Sequence, residues 1–325
     1  MAGAVSIPGK VFVLGEYAVL ADKPALVATL GRRFRMVFSG LLDPSESSEF
    51  EGELPSLELS PDCSVLSRFH PQSPAGRLLE WASSRGVPVL SELRFQFQDP
   101  HGGAGGFGAS TAQFALLYSV LAERMDLPAN ALAARALYRD LMSTGNIGLL
   151  PSGADLVAQW SGGVVSFDPA AGTVRPSWGD RDWGDLLVFS AAAQVGRKVA
   201  THDHLRTLKD GELAGLADRL AEITRAASRE TSGESLGDAL DRYADELSEA
   251  GLEVEAARAD RRALRARPGV LGVKGSGAML ADGVIVLMDS ESGLHRASLI
   301  EAASARGLRL VANGLDREAG LKWES

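Results

Sequence analysis

The stretch at residues 102–111, GGAGGFGAST, limits what this chain can fold into more than any other. It carries Gly102, Gly103, Gly105, Gly106 and Gly108, then a hydroxyl pair, Ser110 and Thr111. Glycine leaves the backbone bare and open to conformations that other residues avoid. Before the loop, residues 93–98 alternate apolar and polar side chains, as a half-buried strand does. After it, Ala112, Ala115, Leu116, Ser119 and Val120 recur at helical spacing, with Ser110 or Thr111 placed to cap the helix. Strand, glycine loop and helix start together aim backbone N–H groups and a positive helix end at an anion. A plain surface loop uses the same glycines, so the loop alone does not choose between the two readings. It is neither of two familiar phosphate loops. It lacks a Gly-Lys-Ser/Thr ending, and no early strand with a ribose-binding acid surrounds it.

The rest of the sequence bounds the class. A chain of 325 residues, 45% apolar and 23% charged, has room for two packed domains. Its net charge of -9 argues against nucleic acid or an anionic membrane as the main partner. Cys63 is the one cysteine, so no internal disulfide or cysteine metal cluster is expected. The opening MAGAVSIPGK has neither a charged leader region nor a long apolar run, and no later run is long enough to span a bilayer. The expectation is a cytoplasmic protein.

Along the chain, residues 11–14 and 33–38 read as strands, and residues 39–73 as a long excursion rich in Ser, Pro and Glu. Helices are expected over 77–85, from the glycine loop to about Met125, and over 132–143. PSGAD, at 151–155, breaks the pattern and starts a new helix with Asp155 in its first turn, where an acid complements the helix dipole. Lys10, just before a strand, reads either as a solvated edge residue or as a fixed cation near a phosphate or carboxylate. A strand over 164–167, a crossover near 173–185 and a strand over 186–190 follow. Two long helical stretches, 205–229 and 236–264, carry charged outer faces that read as solvated surface. A second glycine-bearing segment over 269–288, a helix over 294–306 and a strand over 308–312 complete the chain. This order predicts an α+β fold, an antiparallel sheet with helices on one face.

Three stretches together resemble the GHMP kinases, small-molecule kinases for galactose, homoserine, mevalonate and phosphomevalonate. PGKVFVLGEYAVL at 8–20 is similar to the family's N-terminal motif, GGAGGFGASTA at 102–112 to its phosphate loop, and KGSGAMLADGVIVL at 274–287 to its C-terminal motif. PSGAD resembles the segment that carries the catalytic Asp, and VGRKVATHDHL at 195–205 the segment after it in mevalonate-pathway members. The resemblance implies an N-terminal ATP-binding domain like ribosomal protein S5 domain 2, residues 1–182. It also implies a ferredoxin-like C-terminal domain, residues 183–325, with the active site between them.

The resemblance further implies an ATP- and Mg²⁺-dependent phosphotransferase of the mevalonate pathway that acts on phosphomevalonate. Mevalonate is the alternative acceptor, and a non-catalytic ligand-binding homologue the further alternative. Asp155 and Lys10 correspond to the catalytic pair. Gly103, Ala104, Gly105, Gly106, Gly108, Ala109, Ser110 and Thr111 correspond to the nucleotide-binding loop, with Ser110 also the Mg²⁺ ligand. Glu16, Arg197, Lys198, Thr201, Ser276, Gly277 and Ala278 fall where the family meets its acceptor. A small molecule and ATP are the implied partners, and a homodimer is left open. Three departures stand out. Ala109 replaces a usual serine. Met279, Leu280 and Ala281 replace glycines, which implies a less open backbone. The acidic metal ligand has no clear counterpart; Asp140 is a weak candidate, farther from Asp155 in sequence than the family's ligand is from its Asp.

Overall fold

The computed structural model of the chain describes residues 3–39, 64–86, 94–143, 150–177, 184–191, 210–291, 293–314 and 319–324. It is an α+β fold built on two antiparallel sheets. The first, seven-stranded, has the order β11-β1-β2-β4-β3, with β5 on β2 and β6 on β5. Its strands are β1 (Gly3–Leu14), β2 (Ala25–Ser39), β3 (Ser64–Leu66), β4 (Arg94–Asp99), β5 (Val164–Asp168), β6 (Thr173–Pro176) and β11 (Lys322–Glu324). The second, four-stranded, runs β10-β7-β9-β8, made of β7 (Asp185–Ser190), β8 (Val270–Ser276), β9 (Gly283–Met288) and β10 (Arg309–Asn313).

Helices α1 (Pro74–Ser84), α2 (Ala109–Arg124) and α3 (Ala131–Ser143) cover the first sheet. There Phe34, Met36 and Phe97 from the strands meet Leu78, Phe114, Leu117 and Tyr138 from the helices in one buried cluster. Strands buried on both faces explain why β1 and β2 outrun their alternating segments. In β1 only Gly3 and Phe12 are even half-buried. Period-two patterning marks a strand only where one face meets water.

A second cluster joins the two sheets. Val11, Val13 and Phe107 from the first meet Leu186 and Ile285 from the second, together with Leu220 of α5 (Asp210–Ala227) and Tyr243 of α6 (Gly233–Glu249). Helices α7 (Glu255–Arg265) and α8 (Gly293–Ala305) complete the second half. There Leu264 and Leu299 pack on Leu187, Phe189 and Val286 of the second sheet.

Three local expectations are corrected. The stretch 236–264 is two helices, not one: α6 ends at Ala250, and Gly251 takes φ +72° before α7 begins. Such a left-handed break costs glycine little. The start of the expected crossover is instead β6, which forms a hairpin with β5. The last strand, β11, returns to pair with β1, so the chain's end lies with the first sheet. The expected domain boundary falls outside the described residues, as do most of the 39–73 excursion and the segment with Arg197, Lys198 and Thr201.

Candidate active site

Five segments distant in sequence, with Tyr138 of α3 as one of them, meet at one cavity of about 300 Å³. From β1 and the turn after it come Lys10, Glu16 and Tyr17; from the glycine loop, Gly106. The turn before α4 (Ala154–Ser161) and the first turn of that helix supply Ser152 and Asp155. Ser276, Gly277, Ala278 and Asp282 close it from the second sheet.

The glycine loop is held from below. The backbone N–H of Lys10 donates to the Phe107 carbonyl (3.1 Å). Buried Gln159 of α4 donates through Nε2 to the Pro8 carbonyl (2.8 Å) and also approaches the Gly108 carbonyl (3.3 Å). The Thr111 hydroxyl bonds Gln159 Oε1 (2.7 Å) and lies 3.0 Å from the Gly108 carbonyl. Thr111 is thus buried in the scaffold under the loop. The capping expectation is corrected: Gly108, at φ +87°, is the N-cap of α2, and no side chain caps it. Any larger residue at Gly108 meets Gln159 and Lys10 at 3.0 Å. Ser110 is exposed on the first turn of α2. Ala104 is buried and joins the inter-sheet cluster.

Asp155 sits in the first turn of α4, half-buried, its Oδ1 accepting from the Leu156 N–H (3.0 Å). Arg135 of α3 fixes the preceding turn by donating to the Ser152 carbonyl (2.7 Å). Tyr138, also on the cavity wall, has its phenol pushed well above the ordinary range by burial, and the Asp155 charge adds to the shift. Lys10 is 7% exposed, so the reading of a solvated edge lysine fails. Its ammonium lies 4.8 Å from the Phe12 ring centroid, and no ion pair joins it to Asp155 among the described residues.

Glu16 and Lys274 form a buried ion pair that joins the turn after β1 to β8. Lys274 is 0% exposed and also donates to the Gly275 carbonyl (2.8 Å). Burial raises the Glu16 carboxyl and lowers the Lys274 ammonium, and each ion opposes the shift of the other. The second Glu16 oxygen, Oε2, has no hydrogen-bond partner. Tyr243 donates to the Glu16 carbonyl (2.6 Å), and the Tyr17 hydroxyl accepts from the Met279 N–H (2.9 Å). Burial raises the Tyr17 phenol to about 12.

The third motif keeps its glycine-like shape without the glycines. Met279 and Leu280 adopt φ of 50° and 56°, against the expectation of a less open backbone. Left-handed conformation costs about 1–2 kcal/mol for such residues. The Met279 hydrogen bonds, to the Tyr17 hydroxyl and from Val254 N–H (3.1 Å), and the full burial of Leu280 hold it in place. Asp282 packs directly on the glycine loop: a Cβ at Gly105 would lie 3.2 Å from its Oδ1, and one at Gly106 3.0 Å from its Cβ.

Sequence reasoning missed Gln159, Tyr138 and the Lys274 pairing. A buried Gln four residues after the helix-turn Asp carries no motif, and Tyr138 reads as ordinary helix core. Asp140, the weak metal-ligand candidate, is exposed on α3 and does not line the cavity, whereas Asp282 does.

No family model matches the chain. It is 28% identical to the mevalonate kinase of Aeropyrum pernix over 328 residues, 93% of this chain and 94% of that one. Among solved structures, Lactococcus lactis galactokinase, complexed with galactose, superposes with a TM-score of 0.72 at 13% identity, covering 99% of this chain and 95% of the other. Streptococcus pneumoniae phosphomevalonate kinase superposes at 0.67 and 16% identity, covering 97% and 99%. The fold is that of the GHMP kinases. Fold and full-length sequence similarity together support a GHMP kinase family assignment.

Proposed function

We propose that the chain is an ATP-dependent kinase of the mevalonate pathway, with 5-phosphomevalonate as its acceptor. The observation that carries the kinase reading is the meeting of Lys10, Asp155 and Gly106 in one cavity. Phosphoryl transfer asks a protein for positioning and charge neutralisation more than for covalent chemistry. The loop backbone around Gly106 receives the nucleotide phosphates, helped by the N-terminus of α2. Asp155 orients the acceptor's attacking oxygen, a phosphate oxygen of 5-phosphomevalonate, and takes any proton it carries, as that oxygen bonds the γ-phosphorus and the bond to the ADP leaving group breaks. Lys10, held in a largely buried position, offsets the negative charge that develops at the transferring group.

The oxygen donors suit magnesium, which is usually held by one or two protein oxygens together with substrate phosphates. The Ser110 hydroxyl and the Asp282 carboxylate are the candidates to hold it. When bound, it neutralises phosphate charge.

Tyr17 and Asp282, both on the cavity wall, support phosphomevalonate, since phosphomevalonate kinases often carry Asp at the matching place in the third motif. Arg197, Lys198 and Thr201 are proposed to hold the acceptor's own phosphate, from their sequence context alone. The similarity to the Aeropyrum pernix mevalonate kinase favours mevalonate as the second reading. Coupled ADP release with mevalonate and with 5-phosphomevalonate separates the two. Efficient turnover of mevalonate alone overturns the acceptor assignment and leaves the kinase reading standing.

A further inference from the structure

A second cavity, of about 650 Å³, shares no lining residue with the first. The β5–β6 hairpin forms one wall and the end of α5 the other. Hairpin register sets Ser166 opposite Arg175 and Asp168 opposite Thr173, which puts all four side chains on one face. Facing them are Arg225, in the last turn of α5, and Arg229, just beyond that helix.

Charge is what distinguishes this cleft. Arg175, Arg225 and Arg229 are all exposed, and among the described residues none of their guanidinium groups makes a hydrogen bond or ion pair. Asp218, whose carboxyl Arg225 influences, is already paired with Lys23 (2.5 Å). Asp168 is the one acid on the wall, and its Oδ1 accepts from the Ala170 and Ala171 N–H groups (3.1 and 3.2 Å). Three guanidinium groups against one carboxylate make a cationic spot on a chain whose net charge is -9. A basic residue in the last turn of a helix complements its dipole, which accounts for Arg225. It does not account for Arg175, which stands on a strand. Ser177, 5% exposed at the cavity wall, adds a hydroxyl with no hydrogen-bond partner among the described residues.

We propose that this cleft is a second anion site, which takes a phosphate or diphosphate group of a small molecule. Arginine forks match phosphate oxygens in paired hydrogen bonds, and the Ser177 hydroxyl supplies a further donor. Bound there, the group bridges the β5–β6 hairpin and the end of α5, and relieves the mutual repulsion of the three cations.

Calorimetric titration of the full chain with inorganic pyrophosphate at fixed ionic strength tests this, with inorganic phosphate run beside it. Phosphate binding as tightly as pyrophosphate supports a single-phosphate ligand, and tighter pyrophosphate binding a diphosphate. The glycine loop is an independent anion site, so the comparison is between proteins. Wild type is expected to bind one equivalent more than Arg225→Gln/Arg229→Gln. Arg175→Gln, at an exposed hairpin position that leaves folding intact, is expected to weaken the second site about tenfold, the loss of one charge-assisted pair. Equal stoichiometry and affinity in wild type and Arg175→Gln overturn the proposal. The titration reads binding alone, so its outcome is independent of whether the chain transfers phosphate.

Discussion

Asp155 and Gly106 make opposite demands on the same cavity. Asp155, the proposed base, bonds only the adjacent Leu156 N–H among the described residues, which leaves it able to meet the acceptor's attacking oxygen. Asp155→Asn keeps the shape and removes the base. Turnover is expected to fall by about 10²–10⁴-fold, while nucleotide binding measured by calorimetry stays unchanged. A variant with half of wild-type turnover contradicts the assignment. Gly106, at φ +87°, works by having no side chain. In Gly106→Val the new Cβ falls 3.0 Å from Asp282 Cβ and in the phosphate path, in a conformation valine resists. Loss of measurable nucleotide binding in a folded protein is the expected result, and unchanged affinity means the nucleotide lies elsewhere.

Among elements, the contact between the β1 turn and β8 carries a single buried ion pair, Glu16 with Lys274. Removing one partner of such a pair leaves a charge without compensation, at a cost of about 3–5 kcal/mol. Lys274→Met is therefore expected to lower stability by that order in denaturant melts. Glu16→Gln/Lys274→Met should recover most of the loss, and a double variant as unstable as the single one contradicts the account. The sequence announced both ends of this contact, inside two motifs, but not their partnership, because ion pairs between distant segments leave no local spacing. The glycine loop and the Asp155 turn were legible for the opposite reason: each is a short break between regular elements. Thr111 was misread because a hydroxyl near a helix start suits a cap and a buried bond to Gln159 equally well. The single helix expected over 236–264 failed because charged residues continue at helical spacing through Gly251 and Leu252.

Across the whole molecule, the two sheets meet over Val11, Phe107, Leu220 and Ile285, and the cavity opens beside that seam. His101 buttresses the loop from the first sheet, stacked 4.8 Å from Phe107 and edge-on to Phe34 at 5.3 Å. Its ring nitrogens are buried without hydrogen bonds. Burial, helped by Arg32 and Arg309, lowers its pKa from 6.5 to about 3. The unfolded chain then takes up a proton that the folded protein refuses. Stability is therefore undiminished above about pH 6.5 and drops progressively as the pH falls toward 3. His101→Phe should flatten that slope in chemical melts across this range; an unaltered slope places the acid sensitivity elsewhere. Among the described residues, no helix is long and apolar enough to cross a membrane.

Phosphoryl transfer in the cavity between the sheets is the activity proposed for this chain. Acceptor-dependent ADP release by wild type beside Lys10→Met, with ATP, Mg²⁺ and 5-phosphomevalonate supplied, tests it most directly. ADP release is expected to require the acceptor and to fall about 10²-fold or more when the buried cation is removed. ADP release that ignores the acceptor, or a folded Lys10→Met as active as wild type, contradicts it.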